Sequence, residues 1–554
     1  MRPAYRLSQA LVIASALAVA SAATLEQSIQ KAELAITGPR LLAHISTLAS
    51  DEYGGRAPGT AGEQKSVAYL TEQCRKMGLK PGNPDGTFVQ NVSLWGIRSE
   101  GSVSVTVNGN PLPMTARQDY LASSQQSVPS VAIQDSGLVF AGYGVVAPEF
   151  HWDDYKGVDV KGKTVVLFSG DPPVPDSNDS SKLDEKMFLG PALSYYGRPS
   201  TKYETAYAKG AVAVITVFAP RNGANLARFA QNLPRETMIL RDSASASWIS
   251  AQVSLSEAKA QELFTSAGLD LAALRQGAVK PDFQPVALKA AATFQLQNTV
   301  RQVDSANVAA LLPGSDSQLR NEYVIYSGHW DHLGTDGDRI YHGASDNAAG
   351  TAGVLELARA FTELKPAPKR TVLFLWTTAE EKGLLGALYY VRNPLYPLSK
   401  TLADINLDYF SNWGWGRTHD ISIVGLGNST LDELVMAAAK RQGRVVTGDT
   451  NPAEGFYFRS DHLEFAKGGV PSLETSPGID FVGKPAGYGA EVRDRYIRND
   501  YHKVTDQVKP DWDLSGAVED LRVIFEVGYR VAQGESKPAF KADAPYQFAP
   551  RASR

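Results

Sequence analysis

Residues 323–353 read YVIYSGHWDHLGTDGDRIYHGASDNAAGTAG, and the fold follows from this stretch. It opens with YVIYSG, a short and mostly apolar run of the kind that forms a strand covered on both faces of a sheet. A segment rich in histidine and aspartate comes next, and apolar residues at helical spacing then continue to about residue 364. A strand, a polar loop and a helix in this order form the repeating unit of an α/β layered domain.

The same alternation continues along the chain to about residue 533. Four further apolar runs predict strands: RTVLFLWTT (370–378), LADINLDYF (402–410), DISIVG (420–425) and VPSLETS (470–476). Helical patterns lie between or after them: EEKGLLGALYYV (380–391), TLDELVMAAAKRQG (430–443) and LSGAVEDLRVIFEVGYRVA (514–532). We therefore predict an α/β fold over 293–534, a sandwich whose mainly parallel central sheet is covered by helices.

The rest of the chain has a different pattern. Residues 23–127 predict helices around a glycine-rich loop, EYGGRAPGTAG, followed by strands with a turn at Asn108-Gly109. We read this segment as the N-terminal part of the large domain. Residues 128–292 carry short strands and one helix, and predict a smaller inserted domain of β-rich α/β character. Residues 535–554 form a polar, proline-rich C-terminal tail.

The first residues have the features of an export signal. Residues 1–22 contain two arginines, an apolar run over 11–20 and the small residues Ala-Ser-Ala at 20–22. This order is typical of a cleaved secretory signal peptide, and the apolar run is shorter than the ~20 residues that cross a bilayer. We expect an exported protein, periplasmic or secreted, with no stable membrane insertion after the signal is cleaved.

Composition excludes several classes of protein. The 554 residues are 43% hydrophobic and 21% charged, which rules out a mainly disordered or collagen-like chain. Lysine and arginine total 55 against 59 acidic residues, so nothing favours binding to nucleic acid. The single cysteine, Cys74, can form no intrachain disulfide.

Side chains able to bind a metal follow the predicted strands of the large domain. They are His329 with Asp331, then Asp346, Glu380 with Glu381, Asp408 and, before the last helix, His502. Taken singly, each has an ordinary explanation as a surface hydrogen bond, a helix cap or a solvated first turn. Together they supply the nitrogen and oxygen ligands that zinc takes, in a number suited to two ions that share a carboxylate. His332 is expected to be a hydrogen-bonding loop residue outside this set.

Six motifs in this order resemble the co-catalytic zinc exopeptidases of clan MH. The motifs are HWDHLG (329–334), GASDNAAGTAG (343–353), TTAEEKGLLGA (377–387), NLDYF (406–410), FRSDHLEFAKGGVPS (458–472) and YHKVTD (501–506). That family includes the bacterial leucyl-type aminopeptidases and the glutamate carboxypeptidase-like proteins. The resemblance covers 303–533 densely and 40–80 loosely. Residues 128–292 resemble the protease-associated (PA) domain inserted in many members.

The resemblance implies a site with two Zn²⁺ ions. His329 and Asp408 would bind one ion, Glu381 and His502 the other, and Asp346 would bridge them. It also implies a cis peptide bond between Asp346 and Asn347.

Further residues gain catalytic roles from the same resemblance. Glu380 would be the general base for a water that bridges the two ions, and Asp331 would orient His329. Arg459 and Tyr501 would contact the substrate carbonyl or the reaction intermediate.

The function that follows is that of an aminopeptidase acting on peptides with a free N-terminus. Three alternatives stay open at this point. A glutamate carboxypeptidase-like exopeptidase would need a basic pocket for the C-terminal carboxylate of its substrate, for which Arg459 is the visible candidate. A receptor-like relative would have lost its metals, and a glutaminyl-cyclase-like acyltransferase would use one zinc ion.

Overall fold

A computed structural model describes residues 27–218, 226, 236–242, 248–408 and 414–546. The chain divides into two compact units. The first unit comprises Met1–Val92, Ser305–Thr450 and Ser460–Arg554, and the second comprises Ser93–Asp304 and Asn451–Arg459. The predicted signal, residues 1–22, lies outside the described residues, as does the end of the predicted tail beyond 546.

The strands and α-helices of the described residues are numbered in chain order. The strands are β1 (Lys80–Pro81), β2 (Val89–Val107), β3 (Asn110–Leu112), β4 (Tyr120–Ser123), β5 (Ser130–Phe140), β6 (Val146–Ala147), β7 (Trp152–Asp153), β8 (Thr164–Phe168), β9 (Ala213–Phe218), β10 (Thr237–Leu240), β11 (Ala251–Ser256), β12 (Val286–Leu312), β13 (Tyr323–His329), β14 (Gly334–Asp336), β15 (Arg339–Tyr341), β16 (Thr371–Thr377), β17 (Thr401–Asn406), β18 (Asp420–Val424), β19 (Val445–Gly448) and β20 (Ser472–Pro477). The helices are α1 (Gly38–Leu48), α2 (Ala61–Lys76), α3 (Pro199–Ala208), α4 (Glu257–Ser266), α5 (Leu271–Gly277), α6 (Gly350–Thr362), α7 (Leu385–Arg392), α8 (Leu431–Arg441), α9 (His462–Lys467), α10 (Tyr488–Asn499) and α11 (Ser515–Ala532).

The first unit contains a mixed sheet in the order β19-β18-β20-β17-β13-β16 and then the end of β12. The pairs β13–β16, β13–β17, β17–β20 and β18–β19 are parallel, while β18–β20 and β12–β16 are antiparallel. The five strands predicted in this region correspond to β13, β16, β17, β18 and β20. A mostly parallel α/β sheet is therefore confirmed.

Alternate residues of the central strands face two separate cores. Val324 and Tyr326 of β13 pack with residues of α1, α6 and α11, whereas Ile325 packs with residues of α7 and α9. The same alternation holds in β16, where Phe374 belongs to the first core and Leu373 to the second. A strand buried on both faces has no polar side to display, which is why its sequence is apolar throughout.

The predicted helix at 380–391 is shorter in the structure. It begins at Leu385, and Glu380–Lys382 form a separate 3₁₀ turn. Gly383 and Leu384 lie between them with φ of 108° and 61°, outside the right-handed helical region. The two glutamates are therefore held on a tight turn at the end of β16.

The second unit has its own sheet and core. The N-terminal part of β12, then β5, β8, β9, β11 and β4 lie side by side, and β5–β8, β8–β9 and β9–β11 are parallel. β2 pairs with β3 across the predicted turn, where Asn108 and Gly109 both have positive φ. The inserted domain predicted at 128–292 falls within this unit, which also includes 93–127 and 451–459. Its PA-like character and its boundaries stay predictions.

Helix starts follow from capping residues. Thr60 accepts a hydrogen bond from the amide of Glu63 at the start of α2, and the Glu63 carboxylate accepts one from the amide of Gly59, the residue before the cap. Ser256 and Asp270 cap α4 and α5 in the same way. Among the helices of the described residues, none combines the length and apolar character that a bilayer crossing requires.

A buried carboxylate connects α6 to α1. Glu356 is fully buried, and its oxygens lie 3.2 Å from Nε of Arg40 and 3.3 Å from Nε of Arg359. Nε2 of His44 lies 3.7 Å away. Burial acts to raise the pKa of Glu356, but these basic neighbours outweigh it and hold that pKa below its ordinary value. The ionised carboxylate therefore stabilises the folded state.

We expect Glu356→Gln to lower the free energy of unfolding by about 1.5–3 kcal/mol at neutral pH, the size of a lost hydrogen bond to a charged group. Arg40 is 41% exposed, so its unpaired charge can reach water and the loss stays moderate. Because the folded-state pKa is lowered, this stabilisation is complete above the ordinary pKa of glutamate and disappears as pH falls through the folded value. Thermal unfolding from pH 7 to pH 3 should show the wild-type advantage shrinking with acidity. Glu363→Gln, an exposed change beside the same helix, is the control.

Candidate metal centre

The five predicted ligands lie at one edge of the first unit's sheet. His329 is the last residue of β13, Glu381 follows β16, and Asp408 follows β17. Because these three strands are parallel, their carboxyl ends meet at the same edge, where α/β sheets bind ligands. Asp346 lies in the π-type turn Ala344–Ala349 before α6, and His502 lies between α10 and α11.

Asp346 lies between two groups of donor atoms. One of its oxygens, Oδ1, is 3.5 Å from Nε2 of His329, which is itself 3.3 Å from Oδ1 of Asp408. The other oxygen, Oδ2, is 3.1 Å from Nε2 of His502, which is also 3.1 Å from Oε2 of Glu381. The two oxygens of a single carboxylate thus face two sites, which is the arrangement that a bridging ligand requires. The Asp346–Asn347 peptide bond is cis.

Glu380 and Asp331 lie beside the first of these sites. Oε2 of Glu380 is 3.8 Å from Nε2 of His329, and its amide donates a 3.0 Å hydrogen bond to Oδ1 of Asp331. Nδ1 of His329 lies 3.1 Å from the main-chain carbonyl of Asp331 and 3.7 Å from its carboxylate. The carbonyl is therefore the atom that accepts the Nδ1 proton and leaves Nε2 free for a metal. The carboxylate of Asp331 also anchors the turn that carries Glu380, and its role in orienting His329 stays a prediction.

His332 is a site residue that the sequence analysis placed outside the ligand set. It is fully buried, and its Nδ1 lies 2.6 Å from Oε1 of Glu381 and 4.0 Å from Oδ2 of Asp346. It is a hydrogen-bonding residue, as expected, but its partner is a predicted zinc ligand. His332, Asp346 and Glu381 place donor atoms within 4.8 Å of one another, as do His329, Glu380 and Asp408. The available signal was its place in the motif HWDHLG, beside His329.

Tyr501 and Arg459 have different surroundings. The ring of Tyr501 stacks on His502, with ring centroids 4.0 Å apart. Arg459 belongs to the second unit, where its guanidinium carbon lies 5.4 Å from the ring centroid of Phe456. Contact of either residue with a substrate stays a prediction.

The adjacent glutamates have opposite electrostatic environments. Burial, reinforced by the charges of Asp408 and Glu381, raises the pKa of Glu380 well above its ordinary value. Burial also acts to raise the pKa of Glu381, but His502 and His332 outweigh it and hold that pKa well below the usual range. Neighbouring carboxyl groups with pKa values pushed apart are the usual mark of two different chemical roles.

The donor set fits two zinc ions. Four carboxylates, those of Asp346, Glu380, Glu381 and Asp408, are gathered with imidazoles in a largely buried site. Removing that much negative charge from water is costly unless cations compensate for it. Imidazole nitrogens mixed with carboxylate oxygens are the ligands that zinc takes, and a shared carboxylate suits a pair of ions.

Comparisons with known proteins agree with this geometry. Residues 307–524 match the profile of peptidase family M28. Leucine aminopeptidase 2 of Trichophyton rubrum is 29% identical over 215 residues, covering 36% of this chain and 40% of the relative. The vacuolar membrane protease of Phaeosphaeria nodorum is 29% identical over 129 residues, covering 21% of this chain and 13% of the relative. The chain thus spans less than half the length of either relative.

A solved structure has the same fold over nearly the whole chain. The aminopeptidase from Aneurinibacillus sp. strain AM-1 superposes with a TM-score of 0.52 at 19% identity, covering 95% of this chain and all of that one. At this level of identity the likeness concerns the fold alone. The matched segment contains every residue of the two donor groups. Residues 307–524, the part of the chain that holds both donor groups, therefore resemble peptidase family M28.

Proposed function

We propose that the protein is an exported dizinc aminopeptidase that removes N-terminal residues from peptides with a free N-terminus. The observation that carries the proposal is the position of Asp346, whose two oxygens face two separate imidazoles, His329 and His502. Glu380 adjoins this pair of sites as a carboxylate of raised pKa. Two metal positions with a proton acceptor beside them are what hydrolysis by a two-metal peptidase needs.

The proposed ligand sets are those that the family resemblance implies, and the distances between donor atoms support them. His329, Asp408 and Oδ1 of Asp346 would hold one ion, while Glu381, His502 and Oδ2 of Asp346 would hold the other. Zinc bound there would supply Lewis acidity toward the scissile carbonyl and lower the pKa of water.

Glu380 carries the proton transfers of the proposed reaction. Its carboxylate accepts a proton from the water that attacks the scissile carbonyl, and it later donates that proton to the nitrogen of the leaving amine. Oε2 of Glu380 lies 3.8 Å from Nε2 of His329, which places this carboxylate beside the proposed ions and the water they would bind. Glu381, whose pKa is lowered, stays ionised, as a metal ligand must be.

The chemistry of the two peptide termini favours an aminopeptidase over a carboxypeptidase. A neutral α-amine can bind one of the proposed zinc ions directly, beside the carboxylates of the site. The C-terminal carboxylate of a peptide would instead need a basic pocket. A free N-terminus is therefore the substrate feature we expect to be recognised.

Export and an accessory region belong to the same proposal. Residues 1–22 have the signal pattern described above, and we expect the N-terminus of the mature protein to begin close to residue 23. Sequencing the N-terminus of protein recovered from the periplasm or the medium tests this. The segment 128–292 is proposed to be a PA-like domain that influences substrate size rather than metal binding.

Metal removal is the direct test of the proposed function. The purified mature protein should carry close to two zinc ions per chain. A strong chelator should abolish hydrolysis of an aminoacyl chromogenic substrate, and added zinc should restore it. Metal content and activity should be measured on the same sample.

A panel of substrates separates the alternatives. An aminopeptidase cleaves a free aminoacyl anilide and leaves its N-acetylated form intact, which serves as the matched control. Cleavage of an N-blocked peptide from its C-terminus would instead identify a carboxypeptidase. A protein that binds one zinc ion and cyclises an N-terminal glutamine would be the glutaminyl-cyclase-like acyltransferase. A folded protein that binds no zinc would be the receptor-like relative.

A further inference from the structure

The glycine-rich loop EYGGRAPGTAG (52–62) places an arginine beneath the metal centre. Arg56 ends the 3₁₀ turn Asp51–Arg56 and is only 1% exposed. The preceding Gly55 has a φ of 69°, and a Cβ at this position would collide with the carbonyl oxygens of Gly334 and Tyr341. The loop therefore lies directly against the segment that connects β13 to α6.

The guanidinium of Arg56 binds the two loops that carry ligands. Nε donates to the carbonyl of Trp330 at 2.9 Å, and this residue lies between His329 and Asp331. Nη1 and Nη2 donate to the carbonyls of His342 at 2.6 Å and Gly343 at 2.9 Å, just before the turn that contains Asp346. Nη1 also donates to Leu48 at 2.8 Å, which ties this cluster to α1.

Among the described residues, the charge of Arg56 has no direct partner of opposite sign. Within the part of the chain that the structure describes, its guanidinium contacts main-chain carbonyls and forms no ion pair. Burial lowers the pKa of Arg56 to about 10, so the side chain is still a cation at neutral pH. Its field acts on four carboxylates: those of Asp506, Asp331, Asp346 and Glu381.

Asp506 holds the same turn from its other side. Its carboxylate accepts the amides of Ser345 at 3.0 Å and Asp346 at 3.1 Å, and its main-chain carbonyl accepts the amide of Ala344 at 3.1 Å. The segment before the bridging carboxylate is thus bound by Arg56 through its carbonyls and by Asp506 through its amides. All of these hydrogen bonds join one protein group to another.

We propose that Arg56 is a positioning residue of the metal centre. It fixes the loop of His329 and the turn of Asp346 in their binding geometry before any ion arrives, and its positive charge lowers the cost of gathering the carboxylates. It is neither a metal ligand nor a group that touches substrate. This inference rests on the proposed two-metal function, because the centre it organises is the one described there.

The test compares two buried arginines. Arg56→Lys keeps the charge but cannot reach several carbonyls at once, and Arg56→Gln removes the charge as well. Arg370 is the matched control, since it is 6% exposed and donates to the carbonyl of Ser536 and the carboxylate of Glu322, away from the donor groups. Zinc affinity is measured by chelator competition, and Tm is measured on the same metal-free samples.

We expect Arg56→Lys to weaken zinc binding about 10- to 100-fold, the usual effect of losing a residue that supports metal ligands, and Arg56→Gln to weaken it further. Arg370→Lys should lower Tm while leaving zinc affinity within about twofold of wild type. Wild-type zinc affinity in a folded Arg56→Lys or Arg56→Gln protein would overturn the inference. Equal loss of affinity in Arg370→Lys would do the same, because the effect would then be general destabilisation.

A second measurement needs no variant. In the metal-free wild-type protein, the amides of Ala344, Ser345 and Asp346 should already be protected from hydrogen exchange. Because these amides bind Asp506, free exchange that slows only after zinc is added would show that the turn is not held before zinc binds, which would contradict the inference. If the wild type bound no zinc at all, the proposed function would be wrong. Protected amides in that protein would still show that the turn before Asp346 is fixed by protein contacts.

Discussion

Glu380→Gln should lower kcat by about 10²- to 10⁴-fold while two zinc ions stay bound and KM changes little. Glutamine keeps the size and hydrogen-bonding shape of the side chain but cannot accept a proton from the attacking water. The amide of Glu380 still donates to Asp331, since that contact uses only the main chain. Steady-state kinetics and metal analysis of the same preparation measure kcat, KM and the zinc content.

Glu381→Gln is the matched comparison, because it makes the same chemical change one residue along. Glu381 lies 3.1 Å from His502 and 2.6 Å from His332, and these two imidazoles hold the pKa of its carboxyl group below the usual range. A neutral amide is a poorer zinc ligand than a carboxylate. We expect this variant to lose one zinc ion or to bind it more weakly. Its zinc content is therefore measured before its kinetics are interpreted.

Together, the two variants decide which glutamate is the general base and which is the metal ligand. If Glu380→Gln lost metal while Glu381→Gln kept both ions with kcat collapsed, the base and the ligand would have to be exchanged. Near-normal turnover in Glu380→Gln would remove the proposed proton transfer altogether.

The gathering of His329, Glu381 and Asp408 could be predicted because each follows an apolar run. Runs that are apolar on every residue indicate strands covered on both faces, and such strands are usually parallel. Parallel strands bring their carboxyl ends to one edge of the sheet, so the metal-binding side chains that follow those ends lie close together. Neither periodicity nor spacing could give the contact of His332 with Glu381, because side-chain direction beyond a strand end depends on the path of the loop.

The contacts of Arg56 show why other features could not be predicted. It binds the carbonyl of Trp330, which is 274 positions away. Because every residue has a main-chain carbonyl, the sequence does not indicate which one an arginine binds. The long strand β12 was also missed, because its polar and apolar residues alternate without a clear beginning or end. It runs on past 292, the limit predicted for the insertion, and the boundary between the two units falls within it.

Replacing Asp346, the proposed bridging carboxylate, should have the largest effect on metal content. Asp346→Ala removes both oxygens, the one near His329 and the one near His502. We expect the protein to retain less than one zinc ion per chain after dialysis. Losing the zinc ions should remove about 4 kcal/mol or more of transition-state stabilisation. This corresponds to a fall in kcat/KM of at least about 10³-fold. Asp338→Ala, an exposed change between β14 and β15, should leave both measurements unchanged.

Asp346→Asn sharpens this prediction, because an amide offers one oxygen and one NH₂ group. It can serve one metal but cannot bridge two, since the NH₂ group is a donor without a free lone pair. We therefore expect at most one zinc ion to remain, with peptidase activity as low as in the alanine variant. Two tightly bound ions in Asp346→Asn would mean that the ions do not share this carboxylate. His332, beside Glu381 and 4.0 Å from Asp346, would then be the first residue to test as the missing ligand.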